Sequence, residues 1–172
     1  SEINATLTGD KSLSSRPMKR IIDPLQEMNV SITHNNGLLP IKVYNLNNKY
    51  IPINHTLNVG SAQVKSCILL AALNTRGTTK IVEKIPSRDH TEIMLKFLGA
   101  NLIKEKNVIK LTSPNFLKPK ELKIPGDFSS AAFVIIAVLL SKKSKVTLKD
   151  VGLNYYRTCL LYTSDAADES DR

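Results

Sequence analysis

Apolar positions fall in two rhythms, a period of two over short runs and a period near 3.6 over longer ones, the pattern of an α/β chain. Ala5–Thr8, Val30–Thr33, Ile41–Tyr44, Lys80–Glu83, Leu102–Lys104 and Val108–Leu111 read as strands. Turns at Asn35-Asn36-Gly37 and Lys106-Asn107 join four of them into hairpins. Pro17 is placed to open a helix, where its missing N–H costs nothing, and Pro24 is expected to kink that helix or end its first part. Ser61–Leu73 carries the clearest helical spacing, with Val64, Cys67, Ile68 and Ala71 at i, i+3, i+4 and i+7 as its expected buried stripe. His90–Leu98 is a second helix, with Met94, Phe97 and Leu98 on its apolar face. Ser129–Leu140 is apolar nearly all round and is expected to be deeply buried.

One segment repeats. Leu25–Ile32 aligns with Leu95–Leu102 at an offset of 70, each ending a helix, turning at Asn29 or Gly99, and entering a strand and hairpin. That period is too long for a solenoid and suits similar α/β units packed around a shared core. Pro114–Pro125 reads as a boundary linker.

Composition narrows the function classes. The longest apolar run, Ala131–Leu140, has ten residues, about half of what a bilayer needs, so no membrane partner is expected. Ser1–Asp10 has neither the basic start nor the apolar stretch of a signal peptide. Cys67 and Cys159 show no disulfide or metal-ligand spacing, which points to a reducing cytoplasm and no metal. The net charge of +9 invites a basic RNA-binding module. The lysines are scattered, however, and not interleaved with aromatics, so no nucleic-acid partner is expected. Attraction of small anionic substrates accounts for the charge as well.

Several short segments carry candidate chemistry. Leu7–Met18 sets Arg16 at a helix start, where guanidinium and free backbone N–H groups can address one anion; a solvated arginine fits the same residues. Gly60–Ser66 gathers glycine, small side chains and an amide at another helix start. This makes either an oxyanion receptor or a plain serine N-cap. In Ser87–Glu92, Asp89 with Glu92 reads as a capping box, with His90 packed structurally beside it. His34 and His55 read as turn residues, Cys67 as an inert core thiol, and Asp127 with Ser129 as caps of the apolar helix.

These segments resemble the motifs of the EPSP synthase family. Leu7-Thr8-Gly9-Asp10, Leu13 and Arg16-Pro17-Met18 match its arginine motif at every specified position. Ser61-Ala62-Gln63 matches its phosphate-binding motif, and Ser87-Arg88-Asp89-His90-Thr91-Glu92 matches one subgroup. Pro125–Phe133 is similar to its crossover segment, while Val151–Thr158 departs from the family pattern at two positions. The resemblance implies an α/β (α+β) fold, part of a two-lobed enolpyruvyl transferase of the inside-out α/β barrel type, built from repeated βαβαββ units. Residues 1–124 would supply most of one lobe, and 125–158 the crossover and start of the second. It implies transfer of the enolpyruvyl group of phosphoenolpyruvate to the 5-hydroxyl of shikimate 3-phosphate, releasing phosphate. Arg16 and Gln63 would bind phosphoenolpyruvate; Ser61, Ala62, Gln63, Arg88 and Ser87 would bind shikimate 3-phosphate. No catalytic residue is expected within this chain and no metal or organic cofactor is implied; the parent is expected to be a monomer. The sister UDP-N-acetylglucosamine enolpyruvyl transferase is the nearest rival, but it usually carries a cysteine-bearing loop before its Arg-Pro motif, and Gly9–Ser15 has none.

Composition shifts at Cys159. Residues 159–172 resemble the translated end of a sequencing adapter and read as a non-native tail. With Ser1 rather than Met at its start, the chain reads as an internal fragment.

Overall fold

A computed structural model describes residues 4–44, 49–114 and 116–156. The tail at residues 159–172, with Arg157 and Thr158 before it, lies outside the described residues. The chain divides into two compact units, Ser1–Lys118 and Pro119–Arg172, with the break inside the proline-bearing linker.

The first unit holds β1 (Ala5–Leu7), α1 (Lys11–Ser14), α2 (Lys19–Glu27), β2 (Ser31–Asn35) and β3 (Leu38–Tyr44). They are followed by β4 (Asn54–Leu57), α3 (Ala62–Ala72), β5 (Gly77–Glu83), α4 (His90–Phe97), β6 (Leu102–Glu105) and β7 (Val108–Ser113). One sheet runs β1-β3-β2, the other β4-β5-β7-β6. Among the described strands only β4 and β5 pair in parallel, joined by α3 as the crossover helix. Residues 54–113 thus form a complete βαβαββ unit.

The repeat read from sequence is structural. β1, α2, β2 and β3 recur as β5, α4, β6 and β7 with the same strand order, β1-β3-β2 against β5-β7-β6. Both helices close alike: Val30 N–H donates to the Leu25 carbonyl at 3.0 Å, and Ala100 N–H to Leu95 at 2.9 Å. The intervening residue is left-handed each time, Asn29 at φ 67° and Gly99 at φ 93°. Asn36 and Gly37, also at positive φ, make the two-residue turn of the β2–β3 hairpin. Ile68, Leu69, Ile81, Ile109 and Leu111 are fully buried where α3 meets the four-stranded sheet, with Leu95 of α4 beside them. Ile22, Ile32 and Ile41 make a smaller core under α2.

Several expectations are corrected. Pro17 does not open a helix: α2 starts at Lys19 with Met18 as its N-cap. Nor does Pro24 end it, for α2 continues to Glu27; the proline forfeits a single bond, to the carbonyl of exposed Arg20, which water can satisfy. The buried stripe of α3 is Val64, Lys65, Ile68, Leu69 and Ala72, which leaves Cys67 half-exposed at its edge. On α4 the buried residues are Glu92 and Leu95, with Met94 and Phe97 exposed. On each helix a charged residue takes a buried position, Lys65 on α3 and Glu92 on α4, the two paired at 2.8 Å. Neither histidine is a turn residue: His55 lies in β4, its Nδ1 3.3 Å from Glu27 Oε2, and His34 lies in β2, its Nδ1 accepting the N–H of Gly37 in the adjoining turn.

In the second unit α5 (Phe128–Leu139) is capped by Asp127, whose carboxylate accepts the Ser129 and Ser130 N–H groups at 3.2 Å each. Ser129 is thus the capped residue, not a cap. Deep burial of this helix does not occur: only Phe128 is buried, and Phe133 stands 79% exposed. The described residues of this unit offer no sheet to cover it, only the bridge Gly126–Val151. No described helix is long and apolar enough to cross a membrane.

Candidate functional site

The parallel strands β4 and β5 end side by side, with Lys84 N–H donating to the Leu57 carbonyl at 3.0 Å. From these ends two loops lead into the N-termini of α3 and α4, the place in an α/β sheet where ligands are met by strand ends and open helix ends. Gly60 lets the loops touch. A Cβ there would lie 3.2 Å from the Ile85 carbonyl oxygen and 3.4 Å from that of Pro86. Ser61 then caps α3, its hydroxyl accepting the Val64 N–H at 3.4 Å. The N–H groups of Ala62 and Gln63 sit in the open first turn.

Between the loops lies a cavity of about 470 Å³. Ala62, Gln63, Ser66 and Cys67 line it from α3; Arg88, His90 and Thr91 line it from the opposite side. Gln63 is exposed and Arg88 half-buried, and among the described residues no carboxylate pairs with the guanidinium. A fixed cation, a carboxamide and an open helix end therefore face one space, an arrangement suited to an oxyanion. Burial pushes the Cys67 thiol up from its ordinary value, which keeps it protonated and poorly nucleophilic. Its expected place in the core is corrected to the cavity wall. No group of three or more His, Cys, Asp or Glu stands ready for a metal among the described residues.

Beneath the cavity is a feature that sequence reasoning missed. Lys65 is fully buried, its Nζ 3.1 Å from Glu83 Oε2 and 2.8 Å from Glu92 Oε1. It also donates to the Ser87 carbonyl at 3.3 Å. The Ser87 hydroxyl donates to the other oxygen of Glu83. Lys104 adds a second cation, 3.6 Å from Glu92 and 3.5 Å from Asp89. Glu92 Oε1 makes the ion-pair contacts and neither oxygen makes a well-aligned hydrogen bond, so charge rather than hydrogen bonding holds that end. The expected capping box is absent, since Asp89 makes no side-chain cap and Glu92 turns to Lys65. Thr79, Ile81 and Glu83 share the buried face of β5, so strand alternation already marks Glu83 as an interior carboxylate in need of a cation.

Of the residues singled out from sequence, Ala62, Gln63 and Arg88 line the cavity, while Ser61 and Ser87 adjoin it with hydroxyls engaged in the cap and with Glu83. Arg16 is not among the lining residues. It lies exposed between α1 and α2, with no carboxylate partner among the described residues. Its surroundings are tightly built: Asp10 caps α1 through the Leu13 N–H at 2.7 Å, and a Cβ on Gly9 would meet the Leu13 side chain at 2.7 Å. Those two motif positions serve the turn that presents Arg16.

Comparison with known proteins gives concordant matches. The family model for EPSP synthase (3-phosphoshikimate 1-carboxyvinyltransferase) matches residues 1–165. The 3-phosphoshikimate 1-carboxyvinyltransferase of Bartonella henselae is 49% identical over 170 residues, covering 94% of this chain and 38% of that protein. That of Novosphingobium aromaticivorans is 45% identical over 164 residues, covering 92% of this chain and 37% of the relative. Among solved structures, EPSP synthase from Acinetobacter baumannii superposes with a TM-score of 0.83 at 38% identity, covering 94% of this chain and 36% of that one. The chain spans little more than a third of the length of these relatives.

Proposed function

The chain belongs to the EPSP synthase family, and from that premise we propose that it is the substrate-clamping part of an enzyme that moves the enolpyruvyl group of phosphoenolpyruvate onto shikimate 3-phosphate. The observation that carries the reading is the meeting of Gln63 and Arg88 on one cavity at the ends of two parallel strands. Arg88, the Ser61 hydroxyl and the open N-terminus of α3 clamp the phosphate of shikimate 3-phosphate, with Ala62 packing beside it and Ser87 at the edge. Gln63 reaches both substrates, and Arg16 binds phosphoenolpyruvate. The transfer is an addition followed by an elimination: the acceptor's 5-hydroxyl gives up its proton as its oxygen bonds to the enol carbon and the methylene carbon gains a proton. The tetrahedral adduct then loses a proton from the new methyl group as the bond from the former enol carbon to the phosphate oxygen breaks, the phosphate leaving with the net proton that the hydroxyl released. This chain's residues hold and orient the anions in that scheme. Its thiol stays protonated, and proton transfer falls to residues beyond it. Residues 1–124 belong to one lobe and 125–158 begin the other, a reading the unit break after Lys118 supports. A cytoplasmic, monomeric parent completes the proposal.

The test is a chimera in which residues 1–156 replace the matching segment of the Bartonella henselae relative. It is expected to turn over both substrates, whereas the 172-residue chain alone does not. Gln63→Ala should weaken both substrates by about 10- to 150-fold, the worth of one charge-assisted contact. Arg88→Ala should weaken shikimate 3-phosphate and spare phosphoenolpyruvate. Identical profiles for the two variants would overturn the assignment of roles. A folded chimera that binds neither substrate would overturn the function.

A further inference from the structure

The segment carrying Arg88 is tied down on both sides of that residue. Before it, Ser87 is held twice, its carbonyl by Lys65 and its hydroxyl by Glu83. After it, Asp89 is tethered to Lys104, the Thr91 hydroxyl is hydrogen-bonded to that of Ser66 at 2.6 Å, and Glu92 contacts Lys65 at 2.8 Å. Lys65 is the group common to both sides. A buried ion cluster is poor evidence for stability, because apolar residues of equal volume often serve as well. What such a cluster does supply is geometry: the bonds of Ser87 to Lys65 and Glu83 are directional, and the Lys65–Glu92 contact is strong only at short range.

We infer that Lys65 is a positioning residue that fixes the backbone on both flanks of Arg88, so that the guanidinium is already aimed at the acceptor's phosphate before the ligand arrives. The inference deepens the proposed function and rests on it for the identity of the ligand. The gain is pre-organisation: a loop held in its binding conformation loses less freedom when the anion binds. It also makes the effect selective. Lys65 acts on ligands through Arg88, so it matters for shikimate 3-phosphate and little for shikimate, which lacks the phosphate.

The decisive variant is Lys65→Met/Glu83→Gln in the 172-residue chain. It removes one charge of each sign, keeps side-chain volume, and leaves Glu92 beside Lys104 at 3.6 Å. Amide hydrogen exchange over residues 87–91 should quicken about tenfold, while Ile81 and Ile109 of the β5–β7 ladder stay protected. The dissociation constant for shikimate 3-phosphate should rise about tenfold, a mid-range coupling for residues in contact. In an Arg88→Ala background the same pair of substitutions should change it little. Unchanged loop exchange in a folded variant would overturn the inference, as would an equal loss of affinity with Arg88 absent. If the unmodified chain binds no shikimate 3-phosphate, the chimera decides the proposed function, and the exchange result alone decides whether Lys65 positions the loop. Should the double variant lose ladder protection, Glu92→Gln, which leaves Lys65 paired with Glu83, is expected to loosen residues 87–91 in the same direction; no loosening there refutes the role.

Discussion

Replacing Lys65 by alanine should be far more damaging than replacing it together with one of its partners. In the native unit its Nζ stands 3.1 Å from Glu83 and 2.8 Å from Glu92, with the three side chains between 0% and 3% exposed. Lys65→Ala takes from Glu83 its ion-pair partner in the interior and leaves Glu92 with Lys104, a cation 19% exposed and 3.6 Å away. Breaking a buried pair in this way costs about 3–5 kcal/mol, a large part of the roughly 5–15 kcal/mol that holds a domain folded. With a urea dependence of about 2 kcal/mol per molar, the unfolding midpoint should fall by about 2 M. Lys65→Met/Glu83→Gln removes cation and anion together and should stay within about 1 kcal/mol of the parent. Urea titration followed by far-UV circular dichroism reads both. Equal losses in the two variants, or a loss below about 1 kcal/mol for Lys65→Ala, would refute the view that charge balance governs this core.

Gly60→Ala places a Cβ 3.2 Å from the Ile85 carbonyl and so forces the two site loops apart by a few tenths of an ångström. Affinity for shikimate 3-phosphate, measured by titration calorimetry, should fall about fivefold, since displacements well under 1 Å already cost binding geometry. Cys67, with its thiol pushed up by burial, should alkylate with iodoacetamide more slowly than free cysteine at pH 8. Saturating shikimate 3-phosphate should slow it further, because the thiol lines the same cavity as Arg88. Peptide mapping by mass spectrometry checks both statements, and acceleration by ligand would contradict the placement of the site.

Hairpins, the helix-closing turns at Asn29 and Gly99, and the repeat were legible because local chemistry decides them. Asn36-Gly37 can only be a tight turn, and the closing bonds at Asn29 and Gly99 depend on residues within five positions. The rotation of α3 and α4 was not legible from apolar spacing, because a lysine and a glutamate supplied buried positions once each had the other. Motif resemblance singled out Gln63 and Arg88, 25 positions apart in sequence, and both line one cavity because the adjoining ends of β4 and β5 bring their segments together. It had no bearing on what lies underneath. The pairing of Glu83 with Lys65 joins a strand to a helix and is settled by tertiary packing.

The uncovered surface of α5 bears on how this polypeptide behaves as a colloid. Phe133 and Leu139 stand 79% and 67% exposed on one twelve-residue helix and its C-cap Leu140 stands 82% exposed, while the chain carries a net charge of +9. In dilute buffer, like charge keeps molecules beyond the range at which such apolar surfaces attract. The range of that repulsion is about 30 Å at 0.01 M salt and about 3 Å at 1 M. Salt therefore withdraws the repulsion and leaves the attraction in place. The chain should stay dispersed at low ionic strength and grow turbid as salt is added, the reverse of a protein whose association rests on opposite charges.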